Sequence, residues 1–241
     1  MNFFIIIQAR MTSTRLPGKV MLPLCGKPAL EIMLERLKKF KKNVIIATTD
    51  DGTEKQIVDL CKKLDVKYYQ GDTNNVLSRY YEAAVKFDAK NETIIVRCTS
   101  DCPLIDPDIV QSVINTYQNG SIDHITASGF PRGLDAEAFS FSLLQEAFLN
   151  ATKDYEKEHV TPYIYLTNKE KFKLAQFNSD KDASKFRITL DEQEDYLAIK
   201  EIYKKFNCNT SFNYNELLSV LEENKYIYEL NAHIEQKKLK E

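Results

Sequence analysis

Tryptophan is absent from this chain of 241 residues, so 13 Phe and 13 Tyr have to supply the aromatic bulk of a core. No stretch approaches the ~20 consecutive apolar residues that a membrane-spanning helix needs, which argues against a membrane protein. The apolar opening at residues 3–7 is short, lacks a basic start and runs directly into Gln8-Ala9-Arg10. It therefore indicates a buried strand rather than a signal peptide.

A strong charge of either sign is missing as well. The formal net charge is −2, so the sequence does not indicate binding to nucleic acid or to a membrane surface, and any basic site must be local. Metal-binding cysteine spacing is also missing, because the five Cys are scattered and no Cys-x-x-Cys pair occurs. The sequence thus predicts neither a zinc site nor a disulfide framework, but reduced thiols in a cytoplasmic protein.

The first half of the chain alternates apolar runs with amphipathic segments. Strands are predicted at Phe3–Gln8, 43–48, 66–69 and 93–97. Helices are predicted from Pro28 onward and at 54–64, 75–87 and 107–118. This alternation is typical of an α/β fold with a mostly parallel, doubly wound sheet flanked by helices. Right-handed crossovers then place the loops that follow Ile7 and Val96 at the same edge of the sheet.

The pattern changes after about residue 122. A loop and strand are predicted at 129–141, helices at 143–151 and 196–206, a strand at 186–190, and then an amphipathic tail with a Lys-rich end. No internal repeat or low-complexity linker divides the chain. We therefore expect a single domain over residues 1–241, with a helical tail from about residue 212.

The most informative segment follows the first predicted strand, at the sheet edge where nucleotides bind in such folds. It holds three cations within ten residues, Arg10, Arg15 and Lys19, separated by small hydroxyl residues. Guanidinium groups, a mobile ammonium and backbone N–H groups are what a triphosphate requires. The Gly-x-x-x-x-Gly-Lys-Ser/Thr spacing of a P-loop is missing. A solvated loop is the alternative, and Lys27, a fourth cation near a helix start, could equally be a surface residue.

Two aspartates follow predicted strands and are candidates for a Mg²⁺ site. Asp101 comes just after the fourth predicted strand, and Asp191 directly after the last one. Carboxylates at this edge can hold Mg²⁺ against phosphate oxygens. Asp101 could instead be a helix-cap or turn residue, and Asp191 could be the N-cap of the helix that follows it. Asp106 is the better cap candidate near Asp101, because Pro107 suits the first position of a helix.

The middle of the chain holds further polar candidates. Asp135 and Glu137 alternate along an extended stretch and so face the same side, which suits acceptor binding, a second metal or an exposed strand face. His159 is the one His near other polar candidates, whereas His124 and His233 lack such company. A structural imidazole is the alternative interpretation of His159.

Taken together, these segments resemble the cytidylyltransferase family of the spore-coat polysaccharide biosynthesis type, which is related to the CMP-KDO and CMP-sialic acid synthetases. The matching stretches agree in order and spacing over roughly residues 3–206. They are Gln8 to Lys19 with Gly26-Lys27-Pro28, Gly71-Asp72 with Val76 to Tyr80, Arg97 to Pro107, Gly133 to Glu137 with Glu158 to Pro162, and Arg187-Ile188-Thr189-Leu190-Asp191.

The resemblance implies a Rossmann-like nucleotidyltransferase, often a homodimer, that uses Mg²⁺, CTP and a sugar acid or related hydroxylated acceptor and releases pyrophosphate. It implies catalytic roles for Arg15, Lys19 and Asp101, and Mg²⁺ ligation by Asp101 and Asp191. The residues expected to contact the nucleotide are Gln8, Ala9, Arg10, Met11, Thr12, Ser13, Arg15, Lys19, Lys27, Asp72, Arg79, Thr99 and Ser100. Those expected to contact the acceptor are Arg132, Asp135, Glu137 and His159, and the region around 129–167 is expected to serve acceptor binding or dimerisation.

Two positions depart from the family pattern. Asp191 is followed by Glu192 where Pro is usual, which could shift the start of the next helix, and Arg132 stands where an acidic or polar residue is common, which could mark a different acceptor. A guanylyl- or other nucleotidyltransferase, a glycosyltransferase with a similar nucleotide-binding domain, and a non-catalytic nucleotide-binding subunit remain open alternatives.

Overall fold

The structure of the protein, a computed structural model, describes residues 2–235. In these residues the strands are β1 (Phe3–Gln8), β2 (Pro23–Leu24), β3 (Lys27–Pro28), β4 (Val44–Thr49), β5 (Lys67–Gly71), β6 (Ile94–Thr99), β7 (His124–Ser128), β8 (Glu137–Ser140) and β9 (Leu174–Asn178). The α-helices are α1 (Ala29–Arg36), α2 (Lys55–Leu64), α3 (Val76–Lys86), α4 (Pro107–Asn119), α5 (Phe141–Asn150), α6 (Asp154–His159), α7 (Gln193–Lys205), α8 (Tyr214–Glu223) and α9 (Lys225–Glu229).

Seven strands form one sheet in the order β5-β4-β1-β6-β8-β7-β9, and β2 pairs with β3 in a separate hairpin. The strands β5, β4, β1 and β6 are parallel. The chain builds outward from β1 to β5 on one side and then returns to place β6 on the other side of β1. A crevice for ligands opens at such a topological switch point, outside the carboxyl ends of the strands. Gln8 and Thr99 are register partners at these ends.

Helices cover both faces of the sheet because successive residues of a strand point to opposite sides. In β1, Ile5 and Ile7 pack with α1, α2 and α4, whereas Phe4 and Ile6 pack with α3 and α5. A third apolar cluster joins α7, α8 and α9 to the β2–β3 hairpin and to the segment before Asp191. The structure therefore confirms the predicted mostly parallel, doubly wound sheet flanked by helices.

The second half of the sheet was less well predicted. The strand β8 is antiparallel to β6 and β7, and β9 is parallel to β7 at the edge. Neither β7 nor β9 is predicted from the sequence, because both are short and carry polar residues. The region 129–167 contains β8, α5, α6 and a π-helical turn at Tyr163–Thr167. Its role in acceptor binding or dimerisation stays a prediction.

The predicted strand at 186–190 is wrong. Only Arg187 makes a bridge, to Arg132, and the rest of the segment does not join the sheet. Its backbone groups bond to loops instead: Arg132 N donates to Phe186 O over 2.9 Å, and Leu190 N donates to Asp101 O over 2.7 Å. The apolar alternation was therefore satisfied by packing against loops and α7 rather than by a neighbouring strand.

The predicted absence of disulfides is also wrong. Cys25, in the β2–β3 hairpin, is bonded to Cys208, which follows α7, across 183 residues of sequence. Such a separation leaves no local spacing that could indicate the pair. Cys61, Cys98 and Cys102 are free and buried.

The helical tail predicted from about residue 212 corresponds to α8 and α9, and its Lys-rich end lies outside the described residues. Between residues 2 and 235, no helix combines the length and the apolar character that crossing a membrane would require.

Candidate active site

The segment 9–19, which holds Arg10, Arg15 and Lys19 and is here called the basic turn, leaves β1 at the switch point and is held by its own backbone. The carbonyl of Met11 accepts hydrogen bonds from the N–H groups of Ser13 and Gly18, over 3.0 and 2.9 Å. Gly18 has a φ of 67°, a left-handed conformation that glycine adopts without strain. The turn thereby aims Lys19 across the crevice.

Lys19 lies between the two candidate aspartates. Its Nζ atom is 3.0 Å from Asp101 Oδ2 and 2.7 Å from Asp191 Oδ1, and only 13% of its side chain is exposed. Burial alone would lower the pKa of Lys19, but the two carboxylates raise it. Burial would likewise raise the pKa of Asp101, yet Lys19 and the hydroxyl of Thr99 lower it to about 2. Lys19 and Asp101 are therefore both charged at neutral pH.

Arg15 adds a second cation to the same cluster. Its guanidinium contacts Asp191 Oδ2 at 3.1 Å and Glu192 Oε1 at 3.0 Å. Burial would lower the pKa of Arg15, but Asp191 and Glu192 raise it. Arg15, Lys19, Asp101 and Asp191 thus meet at one point of the crevice.

A buried network fixes the position of Asp191. Leu190 N is bonded to Asp101 O, which brings the two aspartates together. Asp195 Oδ2 accepts from the N–H groups of Asp191 and Glu192. Glu192 is the N-cap of α7 and forms a capping box with Asp195, so Asp191 does not cap this helix. Arg187 binds both oxygens of Asp195, over 2.8 and 2.9 Å.

Asn231 holds this network from the C-terminal part of the chain. Its Nδ2 atom donates to Asp195 Oδ1 over 2.8 Å and to the carbonyl of Arg187 over 3.0 Å. Asn231 is 1% exposed. The sequence did not single out Asp195 or Asn231, and a charged residue in the first turn of a helix is too common to indicate such a role.

Asp101 has no capping role, because Asp106 takes it. The carboxylate of Asp106 accepts from the N–H groups of Asp108 and Ile109 at the start of α4, as predicted. Asp101 instead accepts from the hydroxyl of Thr99 and points to Lys19. The cap alternatives for Asp101 and Asp191 are thus excluded.

The other nucleotide candidates fall into two groups. Gln8, Ala9, Arg10, Met11, Thr12, Ser13, Thr99 and Ser100 lie at the carboxyl ends of β1 and β6 or in the basic turn. Arg79 lies on α3, is 1% exposed, and its buried Nε and Nη1 atoms make no hydrogen bond within residues 2–235. Burial lowers the pKa of Arg79, and Arg10 contributes to the same effect. Unpaired buried donors beside another cation suit an acceptor-rich ligand.

Lys27 and Asp72 are not brought to the cluster. Lys27 is exposed and pairs with Glu35 of α1. Asp72 is exposed and accepts from the N–H groups of Asn74 and Asn75, over 2.7 and 3.0 Å, which caps the turn before α3. Both observations favour structural or surface roles for these two residues.

The acceptor candidates lie around β8. Glu137 pairs with Arg97 over 2.6 Å and with His124 over 2.8 Å. Burial would raise the pKa of Glu137, but Arg97 and His124 lower it to about 2. The expectation that His124 lacks polar company is therefore wrong. Its partner lies 13 residues away on the paired strand, which periodicity alone does not show.

Within residues 2–235, no hydrogen bond or ion pair joins Arg132, Asp135 or His159 to Glu137. The exposed Arg132 bonds through its backbone to the segment before Asp191. Asp135 accepts from Gly133 N over 2.9 Å. His159 is half-buried, and burial lowers the pKa of His159, with Arg97 and Arg10 acting in the same direction.

Arg97 is a further polar residue that the sequence interpretation did not nominate for the site. It lies two residues before Thr99 on the same face of β6, and its Nη2 atom is 3.5 Å from Gln8 Oε1. A cavity of about 730 Å³ opens beside its partner Glu137, lined also by His124, Thr126 and Tyr165. A single arginine within an otherwise apolar run is the sequence feature that could have indicated Arg97 as a site residue.

The residues present fit a magnesium ion at the aspartate pair. Two carboxylates already converge on one cationic atom, and carboxylate oxygens are the ligands that Mg²⁺ prefers. Within the described chain, no group of three or more His, Cys, Asp or Glu forms a complete metal cage. Mg²⁺ is commonly bound by one or two carboxylates together with substrate phosphates, so two suffice.

Comparisons with known proteins identify the family of this chain. A sequence model of the cytidylyltransferase family matches residues 4–239. The chain is 35% identical over 240 residues to an uncharacterized protein of Methanocaldococcus jannaschii, with 98% of this chain and 97% of the relative covered. It is 31% identical over 233 residues to the spore coat polysaccharide biosynthesis protein SpsF of Bacillus subtilis, with 92% and 95% covered.

A solved structure is similar over the whole chain. The cytidylyltransferase of Leptospira borgpetersenii serovar Hardjo-bovis matches with a TM-score of 0.89 and 37% sequence identity, covering 99% of this chain and 100% of that one. The chain is a member of the cytidylyltransferase family, a CTP-dependent nucleotidyltransferase with a Rossmann-like fold.

Proposed function

We propose that this protein is a Mg²⁺-dependent cytidylyltransferase that transfers CMP from CTP to a sugar acid or a related hydroxylated acceptor. The product would enter a surface polysaccharide or another glycan. The main support is the position of Lys19, 3.0 Å from Asp101 and 2.7 Å from Asp191, beside a basic turn at the switch point of the sheet. Because CTP is an intracellular metabolite, the proposal includes a cytoplasmic location, and the family resemblance suggests a homodimer.

In the proposed reaction, the acceptor hydroxyl oxygen attacks the α-phosphorus of CTP opposite the bond to the β-phosphate. That bond breaks, pyrophosphate leaves and the hydroxyl proton is released. Arg10, Arg15 and Lys19 bind the triphosphate and neutralise the charge that grows on pyrophosphate. Asp101 and Asp191 would hold the Mg²⁺, which would supply charge neutralisation at the phosphate oxygens. Positioning and electrostatics carry most of the catalysis, because the leaving group is already good.

The remaining residues take positioning roles in this proposal. Gln8, Thr99 and Ser100 lie at the strand ends next to the triphosphate, and the buried donors of Arg79 bind nucleotide acceptor atoms. Arg132, Asp135, Glu137 and His159 are proposed for the acceptor side. Glu137 serves there mainly by fixing Arg97 and His124, since both of these already contact its oxygens.

Pyrophosphate release tests the proposal directly. The purified protein is incubated with Mg²⁺, each of the four nucleoside triphosphates and a panel of sugar acids that includes KDO and sialic acid. We expect pyrophosphate only with CTP and an accepted sugar, and none after chelation of the metal. Preference for GTP would favour a guanylyltransferase, and consumption of a nucleotide sugar would favour a glycosyltransferase. CTP binding by calorimetry without any turnover across the panel would favour a non-catalytic subunit.

A further inference from the structure

Every oxygen of the two cluster aspartates is already engaged by the protein. Lys19 Nζ donates hydrogen bonds to Asp101 Oδ2 and Asp191 Oδ1. Asp101 Oδ1 accepts from the hydroxyl of Thr99, and Asp191 Oδ2 contacts Arg15 at 3.1 Å and Arg187 at 3.4 Å. A divalent ion shared by both aspartates would need the two oxygens that Lys19 holds.

The ammonium and a divalent ion cannot share this position. Lys19 Nζ lies within 3.0 Å of one oxygen from each aspartate, and Mg²⁺ binds oxygens at about 2.0–2.1 Å. Two cations placed there at once would repel strongly in a site this buried. One of them has to leave before the other can bind the aspartate pair.

The side chain of Lys19 can move while its backbone stays in place. Its backbone is held in the basic turn by the bond from Lys19 N to Leu16 O, while the charged group sits at the end of a flexible four-carbon stem. Arg15, by contrast, is also held by Glu192. A triphosphate against the basic turn would offer Lys19 new anionic partners without any backbone movement.

We propose that Lys19 reserves the divalent-cation position, so that the metal enters as a metal–triphosphate complex and not as the free ion. This inference rests on the proposed function and adds the form in which the substrate binds. Lys19 closes the aspartate pair to free divalent ions and moves to the phosphates when the complex arrives. The protein without nucleotide therefore has low affinity for divalent ions.

Binding of Mn²⁺ in the absence of nucleotide tests the inference, with free Mn²⁺ measured by electron paramagnetic resonance. In Lys19→Met the affinity for Mn²⁺ should rise at least roughly tenfold over wild type, a change of about 1.4 kcal/mol. Lys19→Gln is a second variant should the Met side chain disturb folding, and Lys19→Arg, which keeps the cation, should resemble wild type. Adding Asp191→Asn to Lys19→Met should abolish the gain.

Arg15→Met is the matched control. It also removes one positive charge from beside Asp191 but does not free the position between the two aspartates. Its gain in Mn²⁺ affinity should therefore be clearly smaller than that of Lys19→Met. Equal gains in the two variants would reduce the effect to general electrostatics and overturn the inference. Wild type that binds Mn²⁺ as tightly as Lys19→Met would overturn it as well.

The outcomes separate this inference from the proposed function. Should Lys19→Met gain Mn²⁺ affinity while wild type fails to release pyrophosphate with any triphosphate, Lys19 still reserves the cation position and the proposed reaction is wrong. Should wild type turn over CTP yet bind free Mn²⁺ tightly, the reaction stands and the inference about Lys19 fails.

Discussion

Asp101 is the residue whose loss should separate catalysis from folding. We expect Asp101→Asn to lower kcat with CTP by at least roughly 10²-fold, because losing a charged ligand weakens the binding of a metal whose charge stabilisation is worth several kcal/mol. Pyrophosphate release checks this, alongside a thermal melt. Asp106→Asn is the control on the same loop, because Asn caps helices about as well as Asp and Asp106 caps α4. Full activity in Asp101→Asn would remove Asp101 from the mechanism.

Glu137 should make stability depend on acid pH. Its pKa is lowered from 4.5 to about 2, so its contribution is fully present above pH 4.5 and is lost as the pH falls toward 2. We expect Glu137→Gln to reduce the free energy of unfolding by about 3 kcal/mol at pH 7, since Arg97 then stays buried and unpaired.

Urea unfolding of wild type and Glu137→Gln between pH 7 and 3 measures this difference. The gap between the two proteins should narrow below pH 4.5. Glu170→Gln serves as the control, because Glu170 is exposed and its pair with Lys169 is 3.9 Å long. A gap that stays constant over this pH range would contradict the assignment of the acid dependence to Glu137.

Single residues of the cluster could be nominated from sequence, but their partners could not. Lys19 is 82 residues from Asp101 and 172 residues from Asp191, and only the shared edge of β1 and β6 suggested that they meet. The Arg97–Glu137–His124 contacts depend on the register of β6, β8 and β7, and β7 was not predicted at all. Side-chain pairs across strands follow from register, which composition does not specify.

At the scale of elements, Gly133 lets the loop before β8 approach the segment that carries Asp191. A Cβ atom there would lie 2.8 Å from the backbone of Ile188 and Thr189, and its φ is 110°. We expect Gly133→Ala to cost about 2–3 kcal/mol and to weaken CTP binding, because the loop must move away from Thr189. Chemical denaturation and calorimetry measure the two effects.

Gly52→Ala is the matched control for this prediction. Gly52 also has a positive φ, 86°, but nothing lies within 4 Å of the added Cβ. Only backbone strain should appear, about 1–2 kcal/mol, with CTP affinity unchanged. Equal losses in both variants would mean that the close approach at Gly133 does not matter.

Elements were predictable where burial and periodicity agree. The continuous apolar run of β1 indicates a buried strand, and the single apolar face of α2 indicates an amphipathic helix. The ends of both elements were predicted to within a residue. The edge strand β9 carries exposed and half-buried residues in turn, which resembles a loop. The segment 186–190 has strand-like composition, yet the loops that carry Arg132 and Asp101 satisfy its backbone. Sequence alone does not say which partner an extended segment will find.

At the scale of the whole molecule, the Cys25–Cys208 disulfide ties the hairpin beyond the basic turn to the end of α7. Because it closes a long loop, removing it should lower the free energy of unfolding by about 2–4 kcal/mol. The double variant Cys25→Ser/Cys208→Ser should match reduced wild type in denaturant and should not respond to a reductant.

Thiol labelling of the unfolded chain tests the bond itself. Before reduction only Cys61, Cys98 and Cys102 should react, and all five cysteines should react after it. Five reactive thiols without reductant would instead restore the expectation of reduced cysteines and remove the stabilising role of this bond.

Because Asn231 follows the other residues of the crevice in the sequence, it limits how early during synthesis the crevice can be completed. Protein synthesis delivers the parallel strands first, and N-terminal segments can begin to fold while the ribosome is still translating. Asn231, however, supplies the bonds that steady Asp195 and Arg187, and thereby Asp191. The parallel strands and the basic turn of a nascent polypeptide would thus be made before Asn231, and Asp191 would be steadied only after Asn231 has left the ribosome.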